Sequence, residues 1–182
     1  MKKELLVINV CQEKLHYFEF VKPIEDILQK QGLFFFTKHY SKLNSVDLKK
    51  AEKVIICGTS LKDNNFLEKN NLKNFEWIRK FDKPILGICA GMQIIGKIFG
   101  GKIINKKEIG FFKENFVKDF FGLKGEQEVW HLHNNLIIFD KSWENYVSSS
   151  FQACKHKEKE IYCCLFHPEV RNKHLITNFS SI

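Results

Sequence analysis

The stretch Lys83-Pro84-Ile85-Leu86-Gly87-Ile88-Cys89-Ala90-Gly91-Met92-Gln93 decides how the rest of the chain is read. Pro84–Ile88 is a short apolar run of the kind that forms a strand buried on both faces. Met92–Phe99 carries helical periodicity and is closed by Gly100-Gly101. Strand and helix therefore meet at Gly87-Ile88-Cys89-Ala90-Gly91. Glycines two positions to either side of Cys89 let the two backbones approach closely. A sharp turn there pushes one side chain out at the carboxyl edge of a sheet.

The same rhythm continues towards the amino terminus. Leu5–Val10 reads as strand, Phe18–Gln31 as helix ended by Gly32, and Leu33–Thr37 as strand. Val54–Cys57 is a strand stopped by Gly58, and Leu72–Phe81 a helix. Apolar strands alternating with amphipathic helices predict an α/β fold, with an open, mainly parallel sheet covered by helices on both faces. After Lys102 the pattern changes. Val129–His133, Leu136–Phe139, Tyr146–Phe151 and Glu160–Phe166 read as strands with little helix between them, which predicts antiparallel additions to the sheet in the C-terminal half. A last helix is expected over Asn172–Phe179. With no internal repeat, low-complexity tract or Pro/Gly/Ser linker, residues 1–182 are expected to form one domain.

Composition narrows the class. A chain of 182 residues can bury a core of its own, and 44% hydrophobic residues with three prolines argue against long disorder. No window approaches the roughly 18 apolar residues of a membrane span. The opening Met1–Val10 fits a first strand better than a secretory leader, because Glu4 interrupts its basic part and no small-residue cleavage site follows. A cytoplasmic protein with no membrane partner is expected. The formal charge of +8 comes mainly from lysine interleaved with acidic residues, without a dense basic run. That is a solvated surface rather than a nucleic-acid site. The absence of a Walker loop or GxGxxG gives no reason to expect ATP or dinucleotide binding.

The six cysteines (Cys11, Cys57, Cys89, Cys154, Cys163, Cys164) form no CxxC pair and no zinc-ligand rhythm. Most lie in apolar runs, where a reduced thiol behaves as a small hydrophobe. His16, His39, His131, His156 and His174 lack a spacing that suggests metal and are read as structural or surface residues, so no metal site is expected. Trp77, Trp130 and Trp143 are read as core or interface aromatics.

Cys89 stands apart because a helix amino terminus lies beneath its sulfur. Unpaired N–H groups and the helix dipole favour thiolate over thiol there. The N–H of Ala90 points to where a tetrahedral oxyanion would develop. Taken alone, GxCxG fits a tight turn with a buried cysteine equally well. The second half of the reading is Phe166-His167-Pro168-Glu169, which directly follows the last apolar run. A histidine and a glutamate two apart on a proline-fixed turn supply a base, His167, and a carboxylate, Glu169, that holds its tautomer.

Together these motifs resemble the class I, triad-type glutamine amidotransferases. Their GxCxGxQ elbow is matched by Gly87, Cys89, Gly91 and Gln93, and their late HPE by His167, Pro168 and Glu169. The likeness extends to Phe99-Gly100-Gly101, Glu108-Ile109-Gly110 and Asn178-Phe179. It implies a flavodoxin-like amidotransferase fold and a γ-glutamyl thioester on Cys89. Ammonia would pass to a separate synthetase of the ATP-pyrophosphatase type. It also implies that Gln93 and His133 contribute to substrate binding and that Gly58 lends a second oxyanion N–H. No cofactor is expected in this chain, since ATP and Mg²⁺ would belong to the synthetase. Val129-Trp130-His131-Leu132-His133-Asn134-Asn135 is similar to the VWxSHxD segment of the amidotransferase half of GMP synthase, the best single match within the family.

Three features depart from the family pattern. Gly58-Thr59-Ser60 stands where GGP is usual, Asn135 where an aspartate is usual, and the stretch between Gly110 and Val129 is short. Two other readings therefore stay open: a free-standing γ-glutamyl hydrolase, and a degenerate amidotransferase kept as a regulatory module.

Overall fold

The computed structural model describes residues 4–182. Its main sheet has seven strands: β1 (Glu4–Asn9), β2 (Phe35–His39), β3 (Ala51–Ile56), β4 (Ile85–Ile88), β7 (Trp143–Asn145), β8 (Ala153–His156) and β9 (Ile161–Cys164). Their spatial order is β2-β1-β3-β4-β9-β8-β7. The first five are parallel, while β8 and β7 add antiparallel at one edge. The expected α/β architecture is thus present. β5 (Lys102–Phe120) and β6 (Leu123–Ile138) leave the sheet and form a long two-stranded antiparallel hairpin of their own.

Alternate residues of the parallel strands enter two different cores, which is why these strands read as continuous apolar runs. Leu5, Val7, Ile55, Leu86 and Ile88 pack on one face with α1 (Lys14–Phe20), α2 (Lys22–Lys30) and α6 (His174–Ser181). Leu6, Ile8, Val54, Ile56 and Ile85 pack on the other with α5 (Ala90–Ile98) and with Phe75 and Ile78. Two short helices, α3 (Ser45–Lys50) and α4 (Lys69–Leu72), complete the crossovers.

Several sequence expectations need correction. The helix expected over Phe18–Gln31 is two helices, α1 and α2, that meet at Val21. Pro23 sits in the first turn of α2, where its missing N–H costs nothing, whereas a helix running through it would lose a bond and meet its ring. Leu72–Phe81 is a 3₁₀ stretch, Lys73–Lys80, rather than an α-helix. The runs Val129–His133 and Leu136–Phe139 are not two strands but, up to Ile138, parts of one, β6. Tyr146–Phe151 is a bend through three serines, joined to the hairpin by a Phe116–Val147 bridge, by main-chain bonds from Val117 N–H to Tyr146 O and from Ser148 N–H to Asn115 O, and by Ser149 donating to Glu114. The short segment between Gly110 and Val129 is the hairpin tip. It turns on Phe121 and Gly122, both at positive φ (53° and 92°), the signature of a type I′ turn.

The elbow is the tightest junction. A methyl group on Gly91 would collide with the carbonyl oxygen of Ile56, and one on Gly87 would lie 2.6 Å from Ile95 Cδ1 and 2.8 Å from Gly91 C. Backbone cannot yield as a side-chain tip can. Gly91→Ala is expected to lower the free energy of unfolding by about 1–3 kcal/mol through overpacking. Urea unfolding should show a lower midpoint at unchanged slope.

Candidate active site

Cys89 caps the amino terminus of α5 with φ 48° and ψ −101°, a conformation that L-residues rarely adopt. Its N–H donates to Cys164 O of β9 at 2.8 Å, which ties the strained residue to the neighbouring strand. Cys89 is 4% exposed, and its thiol donates to Leu132 O on β6 at 3.5 Å. Ala90 begins α5, so its N–H precedes the first intrahelical bond, made by Gln93 N–H to Cys89 O.

His167 and Glu169 follow β9, which lies beside β4 in the sheet, so the topology carries them to Cys89. Both are buried, with His167 Nδ1 2.7 Å from Glu169 Oε1. The main chain of His167 is anchored by its N–H donating to Trp130 O at 2.8 Å. Its Nε2 is buried and makes no complete hydrogen bond, while the ring interacts electrostatically with the sulfur of Cys89. Burial opposes the charged ring, but the Glu169 carboxylate and the Cys89 sulfur outweigh it and hold the imidazole well above its ordinary 6.5. The other thiols differ: burial pushes Cys57, Cys163 and Cys164 well up, and Cys11 to about 11, which suits inert core residues.

Gly58 fits between these groups because it has no side chain. A methyl there would lie 2.5 Å from His167 Cε1 and 3.3 Å from Cys89 Cβ. The Thr59-Ser60 departure has its own support. Thr59 Oγ1 donates to Asp63 Oδ2 at 2.6 Å, and that carboxylate also accepts from Gln12 N–H (3.0 Å) and meets His16 Nδ1 at 2.8 Å. Burial alone would raise Asp63, yet these three partners hold it below its ordinary 3.8. Thr59, Ser60, Asp63, Cys89, Ala90, Gln93 and residues 132–135 line one narrow cleft. Two hydrogen bonds hold the 132–135 segment across it: Asn134 Nδ2 to Leu61 O at 3.2 Å, and Gln93 Nε2 to Asn135 O at 3.1 Å.

Residues 17–179 match the family model described as glutamine amidotransferase class-I. The chain belongs to the class-I glutamine amidotransferase family. It is 38% identical over 106 residues to the glutamine-hydrolysing GMP synthase subunit of Methanobrevibacter smithii, covering 53% of this chain and 56% of that one. It is 40% identical over 97 residues to the GMP synthase of Staphylococcus epidermidis, covering 49% of this chain and 19% of that longer protein. Among solved structures, a Thermoplasma acidophilum protein described as a GMP synthase subunit superposes with a TM-score of 0.85 at 24% identity, covering 100% of this chain and 94% of that one. A Thermotoga maritima glutamine amidotransferase gives 0.74 at 20%, covering 100% and 84%. These two structures bear on the fold alone.

Within this amidotransferase fold, the elbow and the HPE turn come together as the motifs suggested, with Gly58, Ala90 and Gln93 around them. His133 lines the cleft, but its ring nitrogens face Lys106 O, His131 and Glu108. Burial, with His131 beside it, lowers its imidazole to about 4. Gln93 reaches the main chain of Asn135, so the exchange of aspartate for asparagine leaves that bond intact. The sequence reading missed Asp63 and Leu132, whose contributions depend on loop contacts and a main-chain carbonyl.

The raised His167 has a measurable counterpart. In NMR titration its ring should hold its proton well above pH 6.5, and Glu169→Gln should move the midpoint down, because burial then acts with less opposition. By linkage, the stability this group contributes is complete below about pH 6.5 and is lost as pH rises through its folded value. An unshifted midpoint in Glu169→Gln would remove the carboxylate as the cause.

Proposed function

We propose that the chain hydrolyses the side-chain amide of glutamine through a thioester on Cys89 and passes the ammonia to a separate synthetase of the ATP-pyrophosphatase type, in the manner of a GMP synthase subunit working in the cytoplasm. The observation that carries this reading is the buried Cys89 at the head of α5, set against a His167 whose ring is held by Glu169 at 2.7 Å.

His167 takes the thiol proton and the sulfur attacks the amide carbon of glutamine. The oxyanion so formed is met by the N–H groups of Ala90 and Gly58. Collapse of the adduct breaks the carbon–nitrogen bond, and the leaving nitrogen takes the proton from His167 as ammonia. A water molecule then gives a proton to His167 and attacks the thioester, releasing glutamate and restoring the thiol. Glutamine and water thus become glutamate and ammonia. Glu169 keeps the imidazole oriented and stabilises its charged form. Any ATP and Mg²⁺ chemistry lies on the synthetase. The narrow cleft, held by Asn134 and Gln93, supports a further element of the reading: a partner that shifts the 58–63 loop or the 132–135 segment opens the way for glutamine.

Glutamate release should be measured with and without a GMP-synthase-type synthetase, and a rise in its presence is expected. Cys89→Ala should reduce the rate by on the order of 10³-fold or more, and His167→Ala by roughly 10²- to 10⁴-fold. The alkaline limb of the rate should move to lower pH in Glu169→Gln, since deprotonated His167 cannot protonate the leaving nitrogen. A Cys89→Ala protein that turns glutamine over at the unaltered rate would sink the mechanism.

A further inference from the structure

Beside the catalytic groups, three side chains of the hairpin turn their donor atoms towards one another. His131 Nδ1 and His133 Nε2 are 3.1 Å apart, His133 Nε2 and Glu108 Oε2 3.1 Å, and His131 Nδ1 and Glu108 Oε2 4.0 Å. Around a tetrahedral zinc ion with bonds of about 2.0–2.1 Å, ligand atoms stand roughly 3.4 Å apart, inside this spread. Both histidines are buried, at 0% and 2% exposure. The grouping is made by the backbone. β5 carries one more residue than β6 between the pairs Asn105–Asn135 and Glu108–His133, and this bulge sets Glu108 opposite His133.

Each group is also oriented from behind. His133 Nδ1 lies 3.2 Å from Lys106 O. His131 Nε2 lies 3.4 Å from Glu114 Oε1, and the other Glu114 oxygen accepts from Ser149 at 2.9 Å. Glu108 is held by Gln152 Nε2 and Lys106 Nζ, both at 2.8 Å. Histidines that ligate metal through one nitrogen and turn the other to a carbonyl or carboxylate have this arrangement.

The proton count points the same way. If His133 Nδ1–H donates to Lys106 O, its Nε2 presents a lone pair to the Glu108 carboxylate. A proton on His131 Nδ1 serves the His133 lone pair but puts none between His133 Nε2 and Glu108, and His131 Nε2 then faces Glu114 with a lone pair, a nitrogen that has no complete hydrogen bond. No choice of two neutral rings satisfies every contact, whereas a cation among the three donors does. We propose that Glu108, His131 and His133 form a binding site for a divalent transition-metal ion of the zinc type, with further coordination positions open. Two imidazoles and one carboxylate suit that class of ion better than Mg²⁺ or Ca²⁺. Leu132, between the two histidines, carries the carbonyl that meets the Cys89 thiol, so a bound ion would stiffen the strand against the nucleophile.

The test uses the full chain, stripped with chelator and then titrated with Zn²⁺, with bound metal counted by mass spectrometry and Co²⁺ as a spectroscopic substitute. One ion per chain is expected, with a cobalt spectrum of nitrogen and oxygen ligands lacking thiolate charge-transfer bands. Glu108→Gln and His131→Gln should each weaken binding at least about tenfold. Thermal melts identify any variant that fails to fold, and Glu108→Gln, which keeps the side-chain shape, carries the result if His131→Gln does not fold. Cys89→Ser should bind as the unaltered protein does. Binding lost in Cys89→Ser, binding indifferent to Glu108→Gln, or no stoichiometric ion with His131 doubly protonated between the glutamates would each overturn the site.

Discussion

The amino terminus of α5 approaches the carboxyl ends of β3 and β4 so closely that no side chain fits between them. Gly87 and Gly91 make that approach possible, and Cys89 bridges it at positive φ. A residue held this way costs on the order of 1–3 kcal/mol, which persists only because the surroundings over-determine it. Here they do. β9 accepts the Cys89 N–H, two apolar cores press the sheet from either side, and the helix places its unpaired N–H groups beneath the sulfur. The strain is the means by which a small thiol is presented at a sheet edge.

The long hairpin holds this centre from the other side. Trp130 O fixes the main chain of His167, Leu132 O meets the Cys89 thiol, and Asn135 O takes the Gln93 amide. All three contacts come from main-chain carbonyls of one strand. Side-chain identity along β6 can therefore change without loss of these bonds, whereas a shift of register would move all of them together. The polar cluster of Glu108, Glu114, His131 and His133 lies on the same ribbon and pins that register from within.

Much of this was legible in the chain. The elbow and the HPE turn carry their chemistry in consecutive residues, and the parallel strands announce themselves because both faces are buried. The C-terminal half was harder. β5 alternates poorly between exposed and buried positions, since a two-stranded ribbon leaning on a sheet has no continuous inward face. The grouping of Glu108 with His131 and His133 depends on a one-residue bulge, and spacing along a single strand does not disclose it. Thr59 looked like a departure from pattern until Asp63 supplied its partner. The helix break at Val21 was written in Pro23, but the apolar periodicity running through it masked the signal.

The placing of β9 between β4 and β8 also bears on the order of events during synthesis. Cys89 is made well before β9, the strand that braces it, and before the turn that carries His167 and Glu169. Until β9 arrives, β4 is an open edge and the elbow lacks the carbonyl that restrains it. Closing this long-range parallel pairing carries the loop entropy of every residue between, the kind of contact that slows folding. A nascent or truncated chain thus holds Cys89 without His167 and Glu169, and the three side chains meet only as the sheet itself is completed.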